Sequence, residues 1–333
     1  MRTARPNRHA PEWQVWTALL IVYIVWGSTY LAISVVVQTM PPLLTAGFRH
    51  LTAGLILFGL LLLRRGARAL RLSRREWFGA GFVGLALLLG GNGLVVLGER
   101  DVPSGLTALI IAVVPLFVVV LRRIFGERVA LGTFAGVAVG FAGVAVLIVP
   151  HGISGDVSMF GMLLLVGASV SWAIGSFFSK TVTLPYDPLA STGAQMLVGG
   201  AGLLITGTLT GELGLAHFEN FSTSSVVALL YLIVFGSVLA YTAYTWLLQH
   251  ASVSRVATYA YVNPLVAIFL GALLLNEKID AAIVIGAVMI LVSVGVVIRT
   301  ESSRAPGDTP TGAAEASPAA SEEILEAEAS PMP

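Results

Sequence analysis

The sequence contains no cysteine and unusually few charged residues. Without cysteine, the chain has no disulfide bonds, no thiol nucleophile and no cysteine-ligated metal. Charged residues make up 11% of its 333 residues, whereas soluble globular chains average about 25%. Apolar residues make up 56%, and the mean hydropathy is +0.88. A water-soluble core of this length cannot enclose so much apolar surface, so these values indicate an integral membrane protein.

Long apolar runs are spaced along almost the whole chain. Crossing roughly 30 Å of hydrocarbon takes about 20 apolar residues, with a range of about 17 to 25. We therefore predict an all-α integral membrane protein with ten transmembrane helices. The ten segments are 16–36, 43–63, 78–97, 103–121, 130–149, 159–179, 189–210, 224–247, 253–275 and 279–298.

The two ends of the chain are polar, and the basic residues are unevenly distributed. Residues 1–12 form a basic tail, and residues 299–333 are rich in Ala, Pro, Ser, Thr and Glu, which predicts disorder. With a cytoplasmic N-terminus, 16 of the 19 Lys and Arg residues lie inside, and only Arg100 and Lys278 lie outside. This bias predicts that both termini are in the cytoplasm and that the chain spans the plasma or inner membrane. We interpret the Arg clusters as topology signals that contact lipid headgroups, not as a nucleic-acid site.

The second half of the chain repeats features of the first. Matched residues are Trp26 and Trp172, Pro115 and Pro264, and Glu127 and Glu277, which lie 146, 149 and 150 residues apart. We therefore predict two repeats, 13–150 and 158–298, with five helices each. Because five is an odd number, the second repeat is inverted relative to the first. Inverted repeats are typical of secondary transporters, whose substrate site lies between the repeats near the membrane midplane.

Arg49 is the one charged residue that falls inside a predicted helix and away from its ends. Such a charge costs about 2.5 to 3.5 kcal/mol to insert and usually faces a bundle interior or an aqueous cavity. Its counterpart Gln195 lies at a similar depth from the opposite side. The functional hypothesis is that Arg49 attracts an anion or forms part of a gate. The alternative is a structural cation held by backbone carbonyl groups.

His50 is the only histidine inside a predicted helix, and its side chain could exchange protons near neutral pH. Because it follows Arg49 directly, it points about 100° away around the helix and need not face the same cavity.

Aromatic and amide side chains form a second candidate group. Several are three or four residues apart and therefore share a helix face. A cavity lined by aromatic faces and a few hydrogen-bonding groups suits amphipathic organic molecules better than bare ions, although each ring could equally serve ordinary packing. The predicted substrate-binding residues are Trp26, Tyr30, Arg49, Asn92, Trp172, Gln195, Tyr241, Tyr244, Tyr259 and Asn263.

Proline and glycine mark two further features. Pro115 and Pro264 each remove a backbone hydrogen bond in the middle of a predicted helix, and we interpret them as hinges. Gly132, Gly136 and Gly140 form a small-residue ladder on helix 5. Such a ladder permits close helix contact, either within the chain or at the seam of a homodimer.

The positions of the acidic residues and the absence of catalytic motifs both limit the functions that the chain can have. All 18 Asp and Glu residues are expected in tails, in loops or at helix ends, so we predict no buried carboxylate in mid-membrane for proton coupling. Coupling through His50, exchange and facilitated diffusion stay open. We predict no cofactor and no metal. There is no H-E-x-x-H motif. The run Gly152–Asp156 resembles a serine-protease motif, but it falls in a predicted external turn without triad geometry.

Several short stretches match a known family: 26–30, 41–43, 46–49, 91–93, 102–105, 114–117, 171–173 and 260–264. Through these stretches the chain resembles EamA-type members of the drug/metabolite transporter superfamily, and within it the YedA branch of bacterial inner-membrane proteins. The resemblance implies ten helices from two EamA repeats, a central cavity, alternating access and export of metabolites, amino acids or toxic compounds. His50 departs from the aromatic or aliphatic residue that the resemblance leads us to expect there.

We therefore predict a secondary carrier of small molecules that is not an enzyme. The alternatives are a channel, a non-transporting receptor and a membrane-embedded enzyme. A channel would show flux that does not saturate and no counterflow, and an enzyme would change its substrate covalently.

Overall fold

The computed structural model describes residues 11–127, 129, 131–154, 157–251, 256 and 259–302. Most of both predicted tails, and Gly155 and Asp156 of the protease-like run, lie outside these residues. The described residues are helical, and none of them forms a β-strand.

Ten long helices, α1 to α10, follow one another through the described residues. The first eight contain stretches long and apolar enough to cross a membrane, and α9 and α10 contain the shorter apolar stretches Val262–Leu275 and Ala281–Val297. The bounds are α1 Glu12–Val36, α2 Pro42–Arg65, α3 Arg74–Gly98, α4 Ser104–Ile124, α5 Leu131–Ser154, α6 Met159–Phe178, α7 Pro188–Leu209, α8 in three consecutive pieces (Thr223–Tyr231, Leu232–Leu239 and Ala240–His250), α9 Tyr259–Leu275 and α10 Ala281–Ser302. Short 3₁₀ helices occupy Ala67–Leu70, Glu212–Leu215 and Phe218–Asn220.

Local sequence explains several helix ends. Ser73 and Glu76 form a reciprocal capping box at the start of α3, which satisfies donors that the helix itself leaves unpaired. Asp187 accepts hydrogen bonds from the first backbone N–H groups of α7. At the end of α2, Gly66 adopts a φ of 72°, a conformation that favours glycine.

Three helices depart from regular α geometry. Residues Leu85–Asn92 of α3 and Leu232–Leu239 of α8 form π-helical turns at corresponding positions of the two halves of the chain. Segments of this kind are frequent at functional sites. The helix α4 is interrupted between Ile111 and Val114, so Pro115 lies in the first turn of its second piece, where its missing N–H costs little. Pro264 lies inside α9, which continues through it.

The helix contacts have a regular pattern. The helix α2 packs mainly against α7, and α5 mainly against α10. The helix α1 contacts α8 and α9, as α6 contacts α3 and α4. Likewise α2 contacts α8, as α7 contacts α3, and α4 contacts α9. When each of the first five helices is exchanged with the helix five places later (α1 with α6, α2 with α7, and so on), this set of principal contacts stays the same.

Glycines allow the two main pairs to approach closely. A Cβ atom built on Gly200 of α7 would lie 2.7 Å from the backbone nitrogen of Leu51 in α2, so no larger residue fits without a shift. On α5, Gly136 and Gly140 lie against Ser293 of α10. These two members of the predicted ladder therefore serve packing within the chain.

The outer surface of the helices is strongly apolar. Leu63 and Leu209 are more than 80% exposed, and Phe160 is 69% exposed. A soluble monomer rarely exposes large contiguous apolar patches, but hydrocarbon accommodates them. The structure thus agrees with the prediction of a multi-pass membrane protein.

Candidate functional site

Arg49 is buried between α2 and α8. Its side chain is 6% exposed, and its Nε donates a hydrogen bond of 2.9 Å to Oγ of Ser237 in the π-helical turn of α8. The guanidinium fits because Gly236, the residue before Ser237, has no side chain. A Cβ atom on Gly236 would lie 3.1 Å from Nη2 of Arg49. Arg49 also lines a small pocket whose other walls are mostly apolar side chains of α1, α2, α3 and α8. In a dry environment, this cation is placed to attract an anionic group.

Trp26 is the centre of an aromatic cluster. Its ring centroid lies 5.3 Å from that of Tyr241, 5.0 Å from that of Tyr244 and 5.5 Å from that of Tyr259. Its indole Nε1 donates to the backbone oxygen of Gly236 at 3.2 Å, so the π-helical turn that holds Arg49 also orients the indole. The cluster joins α1 to α8 and α9. Rings so arranged can bind a flat or amphipathic organic molecule once they separate.

Tyr30 and Asn263 flank this cluster. Tyr30 lies one turn beyond Trp26 on α1 and is within electrostatic range of Tyr259 and Glu99. Asn263 is 5% exposed, and its amide nitrogen can donate to the backbone oxygens of Tyr23 and Tyr259, each at 3.2 Å. The amide therefore fastens α9 to α1 beside the cluster.

The other three predicted residues are not drawn into this cluster. Trp172 of α6 lies flat against Gly91 of α3, where a Cβ would be 2.8 Å from its Cε3. The neighbouring Asn92 is buried at the end of the first π-helical turn. The side chain of Gln195 donates to Oγ of Ser191 in its own helix at 3.0 Å. Trp172 of α6 and Gln195 of α7 therefore lie beside α3, as Trp26 of α1 and Arg49 of α2 lie beside α8.

Two glutamates cap helices of the opposite half, which the sequence does not reveal. Glu277, after α9, accepts hydrogen bonds at the N-terminus of α4 from Ser104 N (2.8 Å), Ser104 Oγ (2.8 Å) and Gly105 N (3.0 Å). Glu212, after α7, accepts hydrogen bonds at the N-terminus of α2 from Leu43 N (3.2 Å) and Leu44 N (2.9 Å). A carboxylate is favoured at a helix N-terminus because the helix dipole is positive there. Both contacts lie on the side of the molecule predicted to be external.

Glu127, the repeat counterpart of Glu277, behaves differently. Its carboxylate pairs with Arg122 of α4 at 2.6 Å, and its side chain is 49% exposed.

Glu99 lies at a helix end, as the sequence predicts, but its side chain is buried, which the sequence analysis does not anticipate. It directly follows α3 and is 4% exposed, and neither carboxylate oxygen has a hydrogen-bond partner among the described residues. Its spacing of seven residues from Asn92 places both on one face of α3, which is the signal that could have revealed it. His50 is also buried, at 1% exposed, and its ring nitrogens have no partner within the described part of the chain.

Comparisons with known proteins agree with one another. The model of the EamA-like transporter family matches residues 14–149 and 159–299. The chain is 39% identical to the uncharacterized inner membrane transporter YedA of Escherichia coli over 264 residues, which cover 79% of this chain and 83% of YedA. It is 28% identical to a probable amino-acid metabolite efflux pump of Salmonella typhimurium, with 82% and 90% covered. One solved crystal structure matches with a TM-score of 0.60 at 19% identity, covering 89% of this chain and 98% of the other.

Proposed function

Because this chain belongs to the EamA-like transporter family, we propose that it is a secondary carrier that exports small metabolites, amino acids or amphipathic toxic compounds. One relative is named as an inner membrane transporter and another as a probable amino-acid metabolite efflux pump. In our proposal this chain works by alternating access, with both termini in the cytoplasm, as the distribution of basic residues indicates.

Three observations support an architecture of two inverted five-helix halves. The family model matches twice, once in each half, and the principal helix contacts keep their pattern on exchange of helices five places apart. The π-helical turns of α3 and α8 occupy equivalent positions in the two halves. In transporters built this way, the substrate binds between the halves and one half rocks against the other.

The observation that carries the proposal is the aromatic cluster between the halves. Trp26 belongs to the first half, whereas Tyr241, Tyr244 and Tyr259 belong to the second. Relative motion of the halves separates these rings and opens their faces to a solute. Arg49 of α2, which donates a hydrogen bond to the π-helical turn of α8 that also accepts from Trp26, then attracts a carboxylate or another anionic group of that solute.

The two glutamate caps support a conformation closed to the outside. Glu212 and Glu277 each bind a helix of the other half at the external side. At the cytoplasmic side, Glu127 is bound within its own half. In our proposal the caps on the two sides form in turn, and each closes one entrance.

Counterflow tests this proposal. The purified protein is reconstituted into liposomes loaded with one unlabelled compound of a panel of amino acids, sugars and cationic drugs, and uptake of the same labelled compound is followed. A carrier shows transient accumulation that saturates, for at least one compound. Uptake that neither saturates nor overshoots would indicate a channel, and a covalently changed compound would indicate an enzyme. The same assay is run on the Arg49→Gln protein, in which we expect the accumulation of labelled compound to fall below that of the parent protein.

A further inference from the structure

We propose that Glu99 is a proton-binding site and that its protonation is linked to closure of the external entrance. The inference deepens the proposed function and rests on it for the coupling to transport. The protonation itself depends only on the surroundings of Glu99.

Those surroundings disfavour a charged carboxylate. Glu99 is 4% exposed, and both oxygens lack a hydrogen-bond partner among the described residues. A buried charge without a partner costs several kcal/mol, and such groups usually neutralise. The backbone N–H of Glu99 also donates to the oxygen of Val95 at 2.9 Å, so the residue caps the C-terminus of α3. The negative end of the helix dipole lies at this C-terminus, and it disfavours a charged carboxylate.

The charged and titratable groups around Glu99 divide by sign. Glu277, whose carboxylate is held at the N-terminus of α4, adds negative charge, while Arg49 of α2 adds positive charge. Tyr30 of α1 lies within electrostatic range. His50 is buried next to Arg49, and α6, which packs against this end of α3, contains no titratable side chain.

Burial and the negative charge of Glu277 affect the pKa of Glu99 more strongly than the positive charge of Arg49 does. Glu99 lies just beyond the span Arg74–Gly98. Burial raises the pKa of its carboxyl group well above the usual range, Glu277 raises it further, and Arg49 lowers it only in part. Arg49 donates its Nε–H to Ser237, and neither oxygen of Glu99 has a hydrogen-bond partner among the described residues.

Protonation and closure are then linked by mass action. In the closed conformation Glu99 is dry and holds a proton, whereas opening of the external entrance admits water and lets the proton dissociate. Because the closed state binds more protons, it is favoured below its raised pKa and loses that advantage as the external pH rises through it. The step needs no other reactant: one proton from external water binds one carboxylate oxygen, and the same proton returns on opening.

Infrared spectroscopy tests the protonation without any knowledge of the substrate. A pH titration of the purified, reconstituted protein should show the carbonyl band of a protonated carboxyl group at neutral pH. That band should be missing from Glu99→Gln and present in the matched control Glu127→Gln, because Glu127 is half exposed. If the Glu99→Gln protein does not fold, Glu99→Asp should move the band. A parent protein without the band at neutral pH, or a band that persists in Glu99→Gln, would overturn the proposal.

Thiol labelling tests the link to closure, since the chain has no cysteine of its own. Val36→Cys places one thiol at a site that is 4% exposed in the small pocket that Arg49 lines. Leu213→Cys, at a site 63% exposed, reports the intrinsic effect of pH on a membrane-impermeant maleimide. The labelling rate of Val36→Cys divided by that of Leu213→Cys should fall as the external pH falls, by up to about tenfold per pH unit for one linked proton. In a Glu99→Gln background it should be low and independent of pH.

An unchanged pH dependence in the Glu99→Gln background would contradict the link to closure. Failure of the proposed function appears differently, as the absence of counterflow in a protein whose infrared band is intact.

Discussion

Replacing Glu277 by glutamine removes the charge that holds the N-terminus of α4. The carboxylate accepts three hydrogen bonds there, from Ser104 N, Ser104 Oγ and Gly105 N, at 2.8 to 3.0 Å. Glutamine has nearly the same shape, so the change alters chemistry more than packing. Its one oxygen can still serve Ser104, but its NH₂ group then faces the N–H of Gly105, and two donors oppose each other.

The expected cost follows from these contacts. Hydrogen bonds to a charged group contribute about 1.5 to 3 kcal/mol, against about 0.5 to 1.5 kcal/mol for neutral ones. The lost interaction with the helix dipole adds about 0.3 to 1 kcal/mol. Since Glu277 is only partly buried, water recovers some of this loss, and we expect a net cost of about 2 to 3 kcal/mol. At 1.4 kcal/mol per factor of ten, the balance shifts by roughly 30- to 150-fold toward the externally open state.

Labelling of Val36→Cys measures this shift. The Glu277→Gln protein should react faster with an external maleimide, in proportion to its larger open population. Glu219→Gln is the matched control, because Glu219 lies in the segment after α7 that is predicted to be external, is 73% exposed and lies 3.4 Å from His217 Nδ1. If Glu277→Gln and Glu219→Gln label at the same rate, the cap at α4 does not hold the entrance closed.

Three further predictions concern the site and the packing. Arg49→Gln should leave the amount of protein normal and lower counterflow at least tenfold, and unchanged counterflow would remove its functional role. Trp26→Ala should raise the half-saturating substrate concentration, while Trp77→Ala, in an outward-facing ring, should not; equal effects would reduce Trp26 to packing. Gly200→Val should greatly lower the yield of folded protein in detergent, since its Cβ meets the backbone of α2, whereas Gly59→Val, with open space around it, should not; equal yields would contradict the close approach of α2 and α7.

The helices themselves were largely predictable from sequence. The predicted segment 43–63 corresponds to α2 at Pro42–Arg65, and 189–210 corresponds to α7 at Pro188–Leu209. Hydropathy and length suffice here because lipid leaves a chain few alternatives to a helix. Arg49 could also be singled out, since a charge far from any helix end is costly in hydrocarbon.

The details of the site depend mostly on tertiary contacts that composition and hydropathy do not record. Glu99 precedes the exposed residues Arg100 and Asp101, so composition assigns it to a loop, and only the packing of α3 against its neighbours buries it. Glu277 looks like an ordinary loop residue until the fold brings the N-terminus of α4 beside it, 172 to 173 positions away in sequence. The π-helical turns likewise have no distinct hydrophobic period and become visible only in the structure.

The central claim is that two five-helix halves lie inverted in the membrane, and the sidedness of two loops tests it most directly. Single cysteines at Ala67, between α2 and α3, and at Leu213, between α7 and α8, occupy exposed sites at equivalent points of the two halves. In intact spheroplasts, an impermeant maleimide should label Leu213→Cys at once and Ala67→Cys only after the membrane is permeabilised. Labelling of both before permeabilisation, or of neither, would place the two loops on the same side and contradict the inverted arrangement.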